Sequence, residues 1–172
     1  FASNCFNQNK KILAICWGLQ VCSTAAGGKV NPGKNGAHIG IASNVIINND
    51  GHKHFIYNDK KNEFTTPAFN FDEVSELPKN ATLLSSDKVN NVMGVSFNVG
   101  NSEITGLQYH PDYEYYQMIN LIAGRKERLF KNKNFLNEEE YQKHISYIKA
   151  ENELLNFEDR TCEVRNWLNH IK

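Results

Sequence analysis

Two short segments of this 172-residue chain carry residue types that can do covalent chemistry. The first is Ala14-Ile15-Cys16-Trp17-Gly18-Leu19-Gln20. A cysteine set between a buried strand and a helix lies at the positive end of the helix dipole. That placement favours the thiolate, the form that attacks a carbonyl carbon. Gly18 permits a sharp turn that aims the thiol outward, and the backbone N–H of Trp17 points to where an oxyanion would form. The second segment is Tyr109-His110-Pro111-Asp112. In extended backbone, residues two apart face the same side, so Asp112 can lie beside His110. A carboxylate bonded to a histidine sets its tautomer and stabilises the imidazolium. Pro111 offers no N–H and ends strand pairing there. Taken alone, a lone cysteine is usually a buried inert thiol, and His-Pro-Asp is usually a turn. Both at strand ends in one chain point to acyl transfer through a thiol.

The elements that must position these residues are legible on either side. Lys10-Lys11 precede the apolar run 12–15, which predicts a strand buried on both faces, internal to its sheet and parallel to a neighbour. Residues 19–26 suit a packed helix, and Gly27-Gly28 end it. Strands are expected at 45–47 and 55–57, joined through an Asp50-Gly51 hairpin. Further strands are expected at 82–84, 92–97 and 104–109, with a turn at Pro78. Regular strands with short turns make part of the sheet antiparallel. After Pro111 the period changes: Tyr115, Met118, Ile119 and Ile122 fall on one helical stripe. Residues 125–155 continue at helical spacing through Tyr141, Ile145 and Ile148, and an amphipathic segment closes the chain over 162–171. The fold class is α/β with a helical tail.

The two reactive segments together resemble the class I (triad) glutamine amidotransferases. In that family the nucleophile motif reads Gly-x-Cys-x-Gly-x-Gln, matched by 14–20, and the second motif closes His-Pro-Glu, matched by 106–112 with Asp112 at its end. Residues 69–86 and the tail ending Cys162-Glu163-Val164-Arg165-Asn166-Trp167-Leu168 are similar to stand-alone relatives of the GMP synthase amidotransferase domain. The resemblance implies a three-layer α/β/α fold with a mixed, mostly parallel sheet of flavodoxin-like type. It implies an amidotransferase core over 1–123, lacking its N-terminal part, and a helical extension packed on it over 124–172. Cys16 would form a γ-glutamyl thioester, with His110 as general base and acid and Asp112 as its orienting partner. The Trp17 N–H would be one oxyanion donor, Gly18 and Gln20 would shape the glutamine pocket, and Asn70 and Phe71 would be further pocket residues. No metal or organic cofactor is implied.

Three positions and one length depart from the family pattern. Asp112 is one methylene shorter than glutamate, Ala14 stands for a glycine, and Asn70 stands where GMP synthase-type relatives carry histidine. Only fifteen residues precede Cys16, whereas relatives have a longer strand-helix-strand segment that bears the second oxyanion donor. An upstream stretch completing the sheet and the site is therefore expected, and residues 1–172 alone are not expected to be competent.

Composition narrows the partners. Nineteen basic and nineteen acidic residues cancel, so no long-range field draws the chain to nucleic acid or an anionic membrane. No apolar run approaches the ~20 residues that span a bilayer. Cysteines 5, 16, 22 and 162 lack zinc-site spacing and read as reduced thiols of a cytoplasmic protein. His52 and His54 sit beside the Asp50-Gly51 turn without a third ligand in sequence, so no metal is expected. Glutamine is the expected substrate. A separate synthetase would take the ammonia, because no synthetase motif is present, and the oligomeric state is not encoded in any motif. Two rival readings stay open: hydrolysis of another γ-glutamyl amide, and a degenerate α/β module that only binds.

Overall fold

A computed structural model describes Asn4, Phe6 and residues 8–172. Strand β1 (Lys11–Ile15) passes through Cys16 into helix α1 (Trp17–Ala25). There follow β2 (Lys29–Pro32), β3 (His38–Ile39), β4 (Ala42–Ile47) and two 3-10 turns, Gly51–Lys53 and Phe55–Tyr57. Next come β5 (Glu63–Thr66), β6 (Phe69–Asn70), β7 (Asp72–Glu76), β8 (Thr82–Ser86), β9 (Gly94–Val99) and β10 (Ser102–Leu107). The remainder is helical: α2 (Tyr115–Gly124), α3 (Lys126–Lys131), α4 (Glu138–Leu154), α5 (Phe157–Arg160) and α6 (Cys162–His170). Among the described residues no helix is long and apolar enough to cross a membrane.

Six strands form one mixed sheet in the order β1-β10-β9-β8-β4-β5. Its strands alternate side chains between two apolar layers, as the period of two requires. Ile12, Ala14, Val95 and Ile104 meet Leu19 and Cys22 of α1 on one face. Leu13, Val45, Leu84, Met93 and Leu107 meet Ile56, Tyr57 and Trp167 on the other. The sheet is thus the middle of three layers, as α/β folds require for strands apolar on both faces. Helix α1 ends as its sequence implies. Gly27 adopts φ 91°, its N–H bonds Thr24 O, and the Gly28 N–H bonds Ser23 O. These are the paired bonds of a left-handed helix stop.

Three details differ from the sequence expectation. Strand β1 is parallel to β10 as anticipated, but among the described residues it lies at the edge of the sheet rather than inside it. The balance of the sheet also differs, since within the described residues β1–β10 is its one parallel pair and the other four pairs are antiparallel. Finally, Asp50-Gly51 closes no hairpin. The Asn48 carboxamide oxygen accepts the N–H groups of both Asp50 and Gly51, winding the chain into 3-10 turns that bury Ile56 and Tyr57. The partners of β4 are instead β5 and β8. A side chain that bonds its own neighbourhood competes with a strand ladder, and here it wins.

The helices after β10 build a third apolar cluster. Tyr115 and Ile122 of α2, Leu129 of α3 and Tyr141, Ile145 and Ile148 of α4 enclose Ile39 and Ile41. Helix α4 starts where three glutamates follow Asn137, whose side chain accepts the Glu140 N–H at 2.9 Å; acidic residues suit a helix N-terminus. Helix α6 is tied to the sheet by a buried polar chain. Glu163, fully buried, receives the Tyr109 hydroxyl at 2.7 Å and Lys60 Nζ at 3.0 Å. Lys60 also donates to Asp159 O at 2.6 Å, and the Tyr109 hydroxyl lies 3.2 Å from that of Tyr57. Burial, followed by the Glu163 charge, pushes the Tyr109 phenol well above its ordinary range. Removing one partner of a buried pair leaves the other charge uncompensated, so Glu163→Ala should cost about 3–5 kcal/mol in urea unfolding. Glu76→Ala, which breaks the solvent-exposed Lys29–Glu76 pair, should leave the midpoint unchanged within error.

Candidate active site

The parallel register brings the two reactive segments to one end of the sheet. Ile15 lies opposite Leu107, and the Cys16 N–H donates to Leu107 O at 2.7 Å. Parallel strands place the residues after both C-terminal ends side by side, so Cys16 and the Gln108–Asp112 segment meet. Cys16 itself takes the strained turn, with φ 51° and ψ −109°. A non-glycine residue in that region costs of order 1–3 kcal/mol, and such strain gathers at functional sites. The sequence expectation had Gly18 permit this turn. The structure moves it to Cys16: Gly18 lies inside α1 without left-handed backbone, and a Cβ there would meet no atom within 4 Å. The Trp17 side chain is 74% exposed beside the thiol. N–H groups of a first helical turn have no partner within the helix, which leaves that of Trp17 available at the site.

His110 follows β10 and is fixed through its backbone, its N–H donating to Pro67 O at 2.7 Å. Its Nδ1 stands 3.2 Å from Asp112 Oδ1, at the long end of a hydrogen bond, and the ring of Tyr113 lies 4.5 Å away. Burial opposes the charged imidazole. Hydrogen bonds to Asp112 and Cys16, with the charges of both, outweigh it and raise His110 to about 9. Burial likewise opposes the Asp112 carboxylate, but the His110 bond and charge and the nearby Arg160 hold it below its usual range. Arg160, 8% exposed, donates to the carbonyls of Pro111 and Tyr113 at 3.3 and 3.0 Å. It thereby clamps the turn that carries Asp112.

Polar side chains surround the thiol. Gln108 Nε2 points at Cys16 Sγ from 3.6 Å, and Sγ in turn lies 3.8 Å from Phe69 O. Gln108 Oε1 accepts from Gln20 Nε2 at 3.3 Å, and Gln20 also donates to Asp72 O at 2.9 Å. Asn70 Nδ2 donates to the same Asp72 carbonyl at 3.0 Å, while its Oδ1 faces His38 Nδ1 at 3.0 Å. His38 Nε2 meets Asp87 at 2.7 Å.

Of the sequence-derived candidates, Cys16, Trp17, Gly18, Gln20, Asn70, His110 and Asp112 therefore gather around one point. Phe71 does not join them by side chain. Its ring packs on Phe69 and the helical cluster, with Arg128 over it. Sequence reasoning missed Gln108, His38, Asp87 and Arg160. Gln108 was inside a recognised motif, but nothing in the chain marks the other three. His52 bonds Asn62, and His54 accepts the Ile56 N–H. Among the described residues no three His, Cys, Asp or Glu side chains form a potential metal-ligand set. A thiol, an imidazole and a carboxylate linked in this order can form and hydrolyse an acyl thioester.

Comparison with known proteins identifies the family. A family model described as glutamine amidotransferase class-I matches residues 1–122. A γ-glutamyl-L-1-hydroxyisopropylamide hydrolase of a Pseudomonas species is 27% identical over 99% of this chain and 64% of its own. One subunit of a glutamine-hydrolysing GMP synthase from Methanococcus vannielii is 31% identical over 70% of this chain and 62% of its own. A solved glutamine amidotransferase from Thermotoga maritima superposes with a TM-score of 0.73 at 20% identity, over 99% of this chain and 66% of its own. The chain spans less than two thirds of each of these relatives.

Two outcomes follow from the site geometry. Limiting alkylation with mass mapping should label Cys16 ahead of Cys22 and Cys162. Cys22 is buried, and Cys162 is buried with its thiol pushed up first by desolvation and then by Glu163. Cys5, the fourth thiol, lies outside the described residues and is read in the same map; preferential labelling of any of the other three would contradict a reactive Cys16. Titration of His110 by NMR should give a midpoint of about 9, falling in Asp112→Asn. The raised value means these contacts stabilise the fold fully below about pH 6.5. That contribution disappears as pH climbs through about 9.

Proposed function

The chain belongs to the class I glutamine amidotransferase family, and on that premise we propose that it hydrolyses the side-chain amide of glutamine through a thioester on Cys16. The observation that carries the proposal is the strained Cys16 turn with His110, backed by Asp112, beside it. Sγ attacks the amide carbon with its proton already transferred to His110, whose charged form the site favours, and the Trp17 N–H stabilises the resulting oxyanion. His110 then passes the proton to the leaving nitrogen, the C–N bond breaks, and ammonia departs. Water, deprotonated by His110, attacks the thioester and releases glutamate and the Cys16 thiol. Asp112 keeps His110 oriented and stabilises its charged form. Gly18, Gln20 and Asn70 border the substrate, with Phe71 supporting the same segment from behind. These steps require no metal or organic cofactor.

In this proposal the ammonia goes to a separate synthetase. The relative named as one subunit of a GMP synthase supports such a division of labour. A second reading, hydrolysis of a substituted γ-glutamyl amide, is favoured by one observation. The relative that aligns with 99% of the chain, helical tail included, is named for that bond. Both readings use the same residues and differ only in the leaving amine.

Incubating the purified full-length protein with glutamine and with N-alkyl γ-glutamyl amides, while measuring glutamate and ammonia, separates them. Glutamate from both substrate types with faster turnover of glutamine is the expected result; turnover of the alkyl amides alone would favour the second reading, and release from neither would defeat both. Cys16→Ser should lose at least about 10³-fold in rate. Asp112→Ala should fall by less, because the carboxylate supports the base and does not bond to substrate. Asp112→Glu should match or exceed the natural residue. An Asp112→Ala enzyme as fast as wild type would remove Asp112 from the mechanism.

A further inference from the structure

One short segment touches Cys16, Gln20 and His110. Residues 67–72 present Pro67 O to the His110 N–H, Phe69 O to Cys16 Sγ and Asp72 O to Gln20. Strand β6 within it is two residues long and pairs with β3, also two residues, in the register His38 opposite Asn70 and Ile39 opposite Phe69. A ladder that short does not hold a position by itself. On either side the backbone is held by the Ala68 N–H to Gly40 O, the Gly33 N–H to Phe71 O and the pairing of Asp72 with Pro32. At Asn70 a buried side-chain chain adds to these. His38 is 3% exposed and the Asp87 side chain 1%. Asp87 Oδ1 accepts the N–H groups of Val89 and Asn90 at 2.9 and 2.7 Å, which leaves Oδ2 for His38 at 2.7 Å. The other ring nitrogen of His38 meets Asn70 Oδ1 at 3.0 Å, and the Asn70 amide is committed to Asp72 O.

A buried histidine–carboxylate pair stabilises a fold no better than well-packed apolar residues of the same volume. What it supplies is direction, since each member has one geometry that satisfies its partners. We propose that His38, anchored by Asp87, is a positioning residue that fixes Asn70 and through it the 67–72 wall against which the γ-glutamyl group docks. The proposal rests on the hydrolysis described above and adds a specificity element to that site. His38 touches neither Cys16 nor substrate; it acts through Asn70. Its loss therefore weakens binding of the γ-glutamyl group more than it slows the chemistry.

The test is steady-state kinetics and amide hydrogen exchange on the purified full-length protein and three variants. His38→Leu removes both bonds and should raise KM about tenfold with kcat within about threefold, the scale of one lost charge-assisted hydrogen bond. His38→Gln keeps one polar partner and should recover most of the KM. Asp87→Asn should move in the same direction as His38→Leu, by less. In His38→Leu the amides of 67–72 should exchange faster while those of β1 and β10 keep their protection. If wild type is active and His38→Leu leaves KM and exchange unchanged, the positioning role is overturned and the proposed hydrolysis stands. A fall in kcat alone, with exchange faster throughout the sheet, also overturns it, because His38 is then an ordinary core residue. If wild type turns over no γ-glutamyl amide, the proposed function fails, and the exchange pattern decides the positioning of 67–72 independently. Should His38→Leu not fold, His38→Gln and Asp87→Asn carry both readouts.

Discussion

Parallel pairing of β1 with β10, with Ile15 opposite Leu107, is the constraint on which the site depends. Antiparallel pairing would send the C-terminal ends of the two strands to opposite ends of the sheet and separate the thiol from the imidazole. A register slip by one residue would turn Ile12 and Ala14 from the α1 face to the other, exchanging the two apolar layers. The bond from the Cys16 N–H to Leu107 O extends the pairing one step beyond β1. At that step the chain leaves the sheet in the left-handed conformation that Cys16 adopts. The strain is held because both sides of the turn are committed: β1 by its pairing with β10, and α1 by the burial of Leu19 and Cys22.

His110 and Asp112 follow β10 without regular structure, so their placement has to come from elsewhere in the molecule. Pro67 O takes the His110 N–H, Arg160 holds the carbonyls of the next turn, and Glu163 holds the hydroxyl of Tyr109 just upstream. Arg160 and Glu163 both belong to the chain's last helices. The helical tail is therefore part of the support of the site, joined to it by buried charge-assisted bonds that lose much when one partner is removed. The opposite wall has a similar anchor, with His38 and Asp87 meeting Asn70 in the two-residue strand β6.

Local signals were enough for much of the architecture. The apolar run before Cys16, the glycine pair after α1 and the helical stripe from Tyr115 each correspond to an element of the structure, because burial period and helix stops are written within a few adjacent residues. The Asp50-Gly51 hairpin failed for the same kind of reason. Its dipeptide is a turn signal, but the neighbouring Asn48 side chain bonds the same backbone and winds it into 3-10 turns. Strand positions near 92–97 and 104–109 were right to within two residues, and their pairing was not legible at all.

By itself, then, the sequence determined the α/β class, the segments that carry the reactive side chains and the family to which they belong. Each of these depends on residue type and near spacing. Tertiary structure alone decided that Cys16 rather than Gly18 takes the strained backbone, and that Gln108 turns its amide toward the thiol. It also decided that Phe71 faces the helical cluster, and that Arg160 and the His38–Asp87 pair serve the site from distant parts of the chain. Those outcomes follow from which strands pair and from which buried polar atoms must find a partner. Both are properties of the packed chain, in which residues far apart in sequence compete for the same contacts, and no local pattern records the result.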